Sequence, residues 1–319
     1  MAHCLVIGGS GFIGTEVTRR LLESGREVIS LGRQKAHPRQ EALGLTHVQG
    51  DYSDLDLLRD LMGGGCDVIN LAYSTVPKTS FGDPTFDLLS NLPANVALLQ
   101  EACRAGVNRL LIVSSGGTVY GDAQSLPISE DHPTNPISPY GITKLTIDSY
   151  ARMFYRTNDL PVVVVRPANA YGPLQRTGVG QGFIAAAISA IQNRQDVQIY
   201  GAHGTVRDYI HVDDVASGII AALERGKDGE LYNLGTGVGA SNLDIVKHLK
   251  GMAARDGFDV TVKHMPERRF DVKANILDAS KLQSHTNWRS SILLETGLDT
   301  AWQHTMDRIR NQGQHPDGP

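Results

Sequence analysis

The chain has 319 residues, about two domains at roughly 150 residues each, and is long enough to bury a large core. This length excludes a small fold held together by disulfides, and the 41% of hydrophobic and 20% of charged residues are ordinary globular values. The formal charge is −4, because 30 Lys and Arg stand against 34 Asp and Glu, so the chain lacks the positive field that a nucleic acid partner requires.

The cysteines and the apolar runs indicate a compartment. Cys4, Cys66 and Cys103 show no paired spacing, which favours a reducing environment. The first apolar run, 4–7, is too short for the core of a secretory signal, and no run approaches the roughly 18 residues of a membrane span. We therefore expect a cytoplasmic protein without a membrane partner.

The histidines show no metal-ligand spacing, so we expect no metal site.

Short apolar runs alternate with helical patterns through the first half of the chain. Ile13, Val17 and Leu21, for example, recur at the spacing of one helix face. The continuous valine run 162–165 is typical of a strand that is covered on both sides. This alternation predicts an α/β fold with a doubly wound parallel sheet. The predicted strands are 4–7, 27–31, 46–49, 68–71, 110–114 and 162–166.

The second half follows a different pattern. Residues 183–191 form an apolar helical run, and 210–223 read as a strand followed by a helix that Asp213 or Asp214 caps. The tail from about residue 304 is polar and rich in helix breakers, so we expect it to fray.

A glycine loop follows the first predicted strand and opens a helix. Within residues 8–14, the spacing of Gly9, Gly11 and Gly14 satisfies the dinucleotide fingerprint. One glycine turns the chain, another lets the backbone approach a pyrophosphate, and the last lets the helix pack on the strand. The loop therefore predicts a Rossmann-type sheet that binds a dinucleotide. The predicted contacts from the loop are Gly8, Gly11, Phe12, Ile13 and Gly14.

These patterns together predict a dinucleotide-binding domain and a smaller, interleaved C-terminal substrate domain. The assigned ranges are 1–170, with 206–235 returning to it, for the first domain, and 171–205 with 236–319 for the second. The loops after Tyr171 and at 180–183 should meet the substrate. They are rich in small residues and do not identify it.

The end of the second predicted strand bears on the choice of cofactor. A carboxylate at this place commonly binds the adenosine ribose of NAD, but here Gly32 and Arg33 follow the strand. Arg33 is able to hold the ribose 2′-phosphate of NADP, and a solvated basic loop is the alternative. The sequence leaves NAD and NADP open and favours NADP. Asp51 and Tyr52 are predicted to contact the adenine, although Asp51 is equally explained as a helix cap.

Tyr140 and Lys144 lie four residues apart at the start of a predicted helix, so both project from one face. An ammonium beside a phenol stabilises the phenolate and lowers its pKa from about 10 toward neutrality, and a cationic nicotinamide acts in the same direction. Such a tyrosine exchanges a proton with a substrate hydroxyl. Taken alone, this spacing is common on helix surfaces.

Several motifs together resemble a known family. They are the glycine loop, Ser-Ser-Gly-Gly-Thr-Val-Tyr-Gly at 114–121, the Tyr140–Lys144 pair, Arg-Pro-Ala-Asn at 166–169 and Arg-Asp-Tyr-Ile-His-Val-Asp-Asp at 207–214. In this order they resemble the extended short-chain dehydrogenase/reductases, in particular nucleotide-sugar epimerases of the UDP-galactose 4-epimerase type. The resemblance runs from about residue 5 to residue 288.

The resemblance implies a role for each matching residue. Tyr140 would be the catalytic base and acid, and Lys144 its electrostatic partner, which also binds the nicotinamide ribose. Further cofactor contacts would be Leu71, Ala72, Tyr73, Asn91, Ser114 and Pro167. The residues that bind the substrate would be Thr118, Asn169, Arg207 and Arg268, the two arginines on its diphosphate.

The loop at 114–121 departs from the family pattern. The usual catalytic Ser or Thr falls on Gly116, so Thr118, or else Ser115, is expected to bond the reacting oxygen. Related 4,6-dehydratases carry Asp and Glu where this chain has Gly117 and Thr118, which disfavours dehydration.

The leading hypothesis is a UDP-hexose 4-epimerase that acts through a transient 4-keto sugar with a bound nicotinamide cofactor. The alternative is an NADPH-dependent keto-sugar or carbonyl reductase, and a third reading is a non-catalytic redox-sensing nucleotide-binding protein.

Predicted helices 84–105 and 139–155 are apolar on more than one side. Similar enzymes pair these helices, so we expect a homodimer; burial within the subunit is the alternative.

Overall fold

The computed structural model describes residues 3–175, 182–268 and 271–313. The strands in chain order are β1 (Cys4–Ile7), β2 (Val28–Gly32), β3 (Thr46–Gln49), β4 (Asp67–Asn70), β5 (Arg109–Val113), β6 (Val162–Pro167), β7 (Asn169–Tyr171), β8 (Val197–Tyr200), β9 (Val206–His211), β10 (Leu231–Leu234), β11 (Gly239–Ser241), β12 (Val262–Met265) and β13 (Ala274–Asn275). The helices are α1 (Phe12–Glu23), α2 (Pro38–Ala42), α3 (Leu55–Leu61), α4 (Pro77–Ser80), α5 (Pro84–Ala105), α6 (Pro139–Asn158), α7 (Phe183–Gln192), α8 (Val212–Arg225), α9 (Asn242–Arg255), α10 (Ser280–Thr286) and α11 (Leu294–Gly313).

Seven parallel strands form the central sheet in the order β10-β6-β5-β4-β1-β2-β3. The predicted Rossmann-type α/β class is confirmed, and the six strands predicted in the first half each lie within a residue of an observed strand. Every residue of β6 is buried, as expected for a strand that helices cover on both sides. Because β1 pairs with both β2 and β4, the winding reverses at β1 and opens a crevice at the carboxyl ends of these strands.

Helices pack on both faces of this sheet. On one face, Val17 and Leu21 of α1 join Val215 and Ile219 of α8 in a fully buried cluster. On the other face, α5 and α6 contribute Leu98 and other apolar side chains to a second buried cluster. The apolar stripe of each helix therefore fixes the sheet, and the strand ends are left free to form a site.

A smaller layer follows β6. Its sheet contains β11, β9 and β13 in order, with β7 paired to β9, and β12 pairs separately with β8. A third buried cluster packs α7, α9 and α11 together, with Trp302 fully enclosed. After β9 the chain returns to the first layer through α8, and β10 then extends the central sheet beside β6. The division into two domains stays a prediction.

Two predictions about the second half were wrong. Helix α8 is capped by the side chain of His211, which accepts the Asp213 backbone N–H at 3.3 Å. Asp213 instead binds Arg20 of α1 at 2.6 Å, and Asp214 accepts a hydrogen bond from the Ser291 hydroxyl at 2.9 Å. Two tertiary contacts therefore outcompete the local cap.

The predicted fraying is also wrong for residues 304–313, where α11 continues through Gly313. Met306 is only 4% exposed and belongs to the third cluster, so packing holds a helix that its sequence alone does not favour. Residues 314–319 lie outside the described ranges. Among the helices of those ranges, none combines the length and the apolar character needed to cross a bilayer.

Candidate active site

A cavity of about 1310 Å³ opens at the carboxyl ends of the central strands. Its floor is the crevice beside β1, and residues of the smaller layer, including Arg207 and Arg268, form the opposite wall. The cavity exceeds the size of most single-ligand pockets and is large enough for a dinucleotide with a second ligand. All the predicted site residues except Asn91 lie on its lining.

The glycine loop is packed too tightly for side chains. A Cβ at Gly8 would lie 3.0 Å from the Ala72 nitrogen, and a Cβ at Gly14 would overlap the carbonyl oxygen of Gly8. Gly8 has a φ of 82°, a conformation that favours glycine. Gly11 precedes α1 and has no side chain to cap it, so the first N–H groups of this helix face the cavity. This cradle fits a pyrophosphate.

Gln40 supports the glycine loop and was missed by sequence reasoning. It is fully buried, and its side-chain amide donates to the Gly9 carbonyl at 2.9 Å and to the Thr18 hydroxyl. No local signal identifies Gln40, because it lies 31 residues beyond Gly9 on α2.

The end of the cavity that is predicted to bind the adenosine is lined by Arg33, His37, Asp51 and, from α11, Arg308. Arg33 and Arg308 are exposed, and Arg308 was also missed by sequence reasoning because it lies far along the chain. Asp51 accepts from the Ser53 hydroxyl at 2.9 Å and does not cap α3. The alternative reading of Asp51 as a helix cap is therefore wrong.

Tyr52 and Asn91 are both buried, Tyr52 on the cavity lining and Asn91 away from it. The Tyr52 hydroxyl accepts from the Asn95 amide at 3.1 Å, and burial raises its pKa. The sequence predicted that Asn91 faces the cofactor, but Asn91 is fully buried and does not line the cavity. The side-chain oxygen of Asn91 accepts the Ser74 N–H at 2.8 Å, so Asn91 fixes the backbone segment after β4 that does line the cavity.

Tyr140 and Lys144 project from the first turns of α6 into the cavity wall. The hydroxyl of Ser138 caps this helix by accepting the Gly141 N–H at 3.1 Å. Lys144 Nζ donates to the Val113 carbonyl at 2.8 Å and lies 4.2 Å from the centre of the Tyr73 ring. The Tyr73 and Tyr140 rings meet edge to face, with centroids 4.8 Å apart.

Burial dominates the protonation of this pair. It raises the pKa of Tyr140, the negative charges of Asp87 and Asp148 raise it further, and a hydrogen bond with Ser115 lowers it. Burial also lowers the pKa of Lys144 to about 8, against the opposing effect of Asp148 and Asp87. The predicted lowering of the Tyr140 pKa is therefore wrong for the protein by itself, because desolvation raises this pKa and the charges of Asp87 and Asp148 add to the effect.

The loop after β5 carries the hydroxyls that replace the missing one at Gly116. The Thr118 hydroxyl donates to the Ser115 hydroxyl at 2.9 Å, and Ser115 lies close enough to Tyr140 to lower the pKa of its phenol. A Cβ at Gly116 would overlap the Leu277 side chain and lie 3.0 Å from the Arg166 carbonyl oxygen. Packing therefore disfavours a side chain at 116, whereas Ser115 and Thr118 lie on the cavity wall.

The residues predicted to bind the substrate, Asn169, Arg207 and Arg268, also line the cavity. Arg207 donates to the Val206 carbonyl at 2.8 Å, and burial lowers its pKa. The Arg268 guanidinium stacks 3.3 Å from the centre of the Tyr200 ring. The Asn169 side-chain oxygen is buried and has no hydrogen-bond partner among the residues that the structure describes. A buried acceptor of this kind is suited to a ligand donor.

Ser114 and Pro167 also line the cavity, as do Leu71 and Ala72 just after β4. The predicted substrate loop at 180–183 lies partly outside the described residues, since 176–181 are not among them. Of this loop, Gly182 is described and lines the cavity.

The sheet, the glycine cradle and the buried Tyr–Lys pair define an enzyme that binds a dinucleotide in a crevice. A family model for the NAD dependent epimerase/dehydratase family matches residues 4–235. The chain belongs to this family.

Comparisons with individual proteins agree. The chain is 32% identical over 317 residues to a UDP-glucose 4-epimerase of Mycolicibacterium smegmatis, covering 97% of this chain and 99% of the relative. A crystal structure of UDP-glucose 4-epimerase with UDP-glucose from Thermotoga maritima matches with a TM-score of 0.88 and 30% identity, over 96% of this chain and 99% of that one. A crystal structure of UDP-glucose 4-epimerase from Thermus thermophilus in complex with NAD matches with a TM-score of 0.86 and 28% identity, over 95% of this chain and 99% of that one. Relatives at 30% identity also include dTDP-glucose 4,6-dehydratases, for example from Streptomyces niveus, over 92% of this chain and 90% of the relative.

Proposed function

We propose that the chain is a UDP-hexose 4-epimerase that works with a tightly held nicotinamide cofactor. The observation that carries the proposal is the buried Tyr140–Lys144 pair, with Ser115 beside it, on the wall of a cavity that also contains the glycine cradle. When bound, the nicotinamide supplies a site that accepts a hydride and returns it. The relatives named UDP-glucose 4-epimerase support this reaction for a chain of the same length.

Tyr140 takes the proton from the C4 hydroxyl of the sugar and returns a proton to the oxygen of the 4-keto sugar. Burial favours the protonated phenol in the protein alone, so the phenolate requires a nearby positive charge. Lys144 supplies one, held in place by the Val113 carbonyl and the Tyr73 ring. Ser115 and Thr118 form a hydroxyl chain that orients the reacting oxygen toward Tyr140.

Arg207, Arg268 and Asn169 would hold the nucleotide diphosphate. A guanidinium matches phosphate oxygens in a bidentate geometry, and two of them oppose the double charge of a diphosphate. With the nucleotide held at this end, the sugar extends toward Tyr140 and can turn so that either face of C4 meets the cofactor.

The same cavity argues against dehydration. Elimination of water from a sugar needs a carboxyl acid and a base beside the ring, in addition to the redox step. The loop after β5 has Gly117 and Thr118 at that place, and the acidic residues on the described lining are Asp51 and Asp271. Asp271 acts on the charge of Arg207, which places it at the diphosphate end.

A reductase is the second candidate, and Arg33 favours it. Arg33, His37 and Arg308 line the adenosine end, where they would bind the 2′-phosphate of NADP. We propose NADP as the preferred cofactor on this ground. An epimerase should emerge from purification with cofactor bound and consume none, whereas a reductase should steadily consume reduced cofactor.

The variant Tyr140→Phe tests the proposed reaction. It removes the proton-transferring oxygen and keeps the ring that packs against Tyr73, so turnover of UDP-hexose should fall by about 10²–10⁴-fold. Affinity for the cofactor and the UDP-sugar, measured by calorimetry, should stay unchanged. Tyr155→Phe on the same helix, an exposed tyrosine, is the control. Full activity of Tyr140→Phe would contradict the proposal.

We also propose that α5 and α6 pair with a second copy of the chain. Leu89, Phe86 and Ile142 on these helices are 62%, 54% and 53% exposed, which leaves apolar surface uncovered on the subunit. Leu89→Glu should convert a sedimenting dimer into a monomer. Leu293→Glu, at a leucine that is 75% exposed outside these helices, should leave the dimer intact. A wild-type monomer at micromolar concentration would refute the pairing.

A further inference from the structure

Asp87 is a fully buried carboxylate behind the Tyr140–Lys144 pair. It lies in the first turn of α5 and has no exposed surface. Within the described ranges it forms no ion pair with a basic side chain. Burying a charged group without a partner is costly, so the surrounding groups must compensate it.

Three hydroxyl groups donate to this carboxylate. Thr143 donates at 2.8 Å, Tyr73 approaches at 3.3 Å, and Thr75 makes a third hydrogen bond. The positive end of the α5 dipole adds to their effect, because Asp87 lies in the first helical turn. In each of these contacts the carboxylate of Asp87 is the acceptor.

These donors connect Asp87 to the reacting pair. The Tyr73 ring contacts both partners, because the Lys144 ammonium lies 4.2 Å above its centre and the Tyr140 ring meets its edge. Thr143 immediately precedes Lys144 on α6. The carboxylate therefore holds two side chains that define where the ammonium and the phenol lie.

We propose that Asp87 is a positioning residue whose fixed negative charge, held behind the Tyr140–Lys144 pair by Tyr73, Thr75 and Thr143, sets the pH range in which the pair works. This inference rests on the proposed function, since it assigns Tyr140 the proton transfer. It extends that function by naming a group outside the cavity lining that governs it.

The other charges that face the pair do not replace Asp87. From α6, Asp148 also faces it, but Asp148 is paired with Arg166 of β6 at 2.9 Å. From the loop after β5, Ser115 contributes a neutral hydroxyl, and from the segment after β4, Tyr73 contributes a ring. Asp87 is the negative charge near the pair that lacks a cationic partner within the described ranges.

The direction of its effect follows from its charge. Asp87 raises the pKa of Tyr140, because a second negative charge on the phenol is repelled. It also raises the pKa of Lys144, acting with Asp148 against burial. A neutral residue at 87 therefore lowers both pKa values. The Tyr140 phenolate then forms at lower pH, and the Lys144 ammonium loses its proton at lower pH.

The test is Asp87→Asn, which has nearly the same shape and no charge. In the pH profile of kcat, the acid limb reports the Tyr140 phenolate and the alkaline limb the Lys144 ammonium. Both limbs should move to lower pH by about one unit. The phenolate absorbance of the protein saturated with NAD or NADP, after subtraction of the Tyr140→Phe protein, should move in the same direction. If Asp87→Asn fails to fold, Asp87→Ser, which is smaller and also neutral, carries the same expectation.

Asp83→Asn is the matched control. Asp83 caps the same helix by accepting the Phe86 N–H at 2.8 Å, it is exposed, and Asn caps a helix equally well. This variant removes one negative charge from the same helix end without touching the buried cluster, so its pH profile should match the wild type.

Reduced turnover in Asp87→Asn with an unmoved pH profile and an unmoved phenolate titration would overturn the inference, because a merely structural residue behaves in that way. The phenolate titration needs no turnover. A shifted titration in a chain without epimerase activity would therefore support the role of Asp87 while refuting the proposed reaction.

Discussion

The two ends of the cavity differ in how far water reaches their charges. Tyr140 and Lys144 are only 9% and 6% exposed, and burial shifts the pKa of each. At the other end, which is predicted to bind the adenosine, Arg33, Arg308 and Asp51 are exposed to solvent. Charges in the buried end act strongly on one another, whereas water and salt screen those at the exposed end.

This difference separates two tasks within one cavity. The buried end can tune a proton transfer, because each charge there alters the protonation of its neighbours. The exposed end can select a ligand by its charge but contributes less free energy per contact. Both ends belong to one cavity at the carboxyl ends of the central strands, and the difference between them is the burial of their charged side chains.

The larger effect is expected from the buried end, in the pH dependence of stability. The pKa of Lys144 is about 8 in the folded chain against an ordinary 10.5, so between these values the unfolded chain binds a proton that the folded chain has released. Stability therefore rises with pH across this window, by roughly 2–3 kcal/mol from this group. The measurement is urea unfolding of the wild type and of Lys144→Met from about pH 8 to about pH 10.

The wild type should gain stability relative to Lys144→Met over that range. Lys250→Met, at an exposed lysine on α9, should follow the wild type at every pH. A constant difference between wild type and Lys144→Met would mean that water reaches the ammonium and that the two ends are alike.

The smaller effect is expected from the exposed end. Arg33→Ala should weaken NADP binding about tenfold, the size of one charge-assisted hydrogen bond, and leave NAD binding unchanged. Calorimetry with both cofactors measures this, and added salt should reduce the difference. Lys35→Ala, an exposed neighbour that is absent from the cavity lining, is the control. Equal losses for both cofactors would refute the NADP preference.

The sequence predicted those features that depend on short stretches of chain. Strand β6 and the glycine loop follow from apolar runs and from glycine spacing, and the Tyr140–Lys144 pair follows from helical geometry. Its errors came where a contact from a distant segment prevailed. Asp213 binds α1 instead of capping α8, and Asn91 turns toward Ser74 instead of the cavity.

The sequence by itself determined the class of sheet, the order of its elements and the residue types at the strand ends, because periodicity and turn chemistry are local properties. Only the tertiary structure decided that Gln40 supports the glycine loop, that Gly116 is packed tightly against Leu277 and that Asp87 bonds Tyr73 and Thr143 beside the Tyr140–Lys144 pair. Each of these depends on segments far apart in the chain, and so does the desolvation that raises the pKa of Tyr140. A burial of this kind exists only once the helices have packed on the sheet.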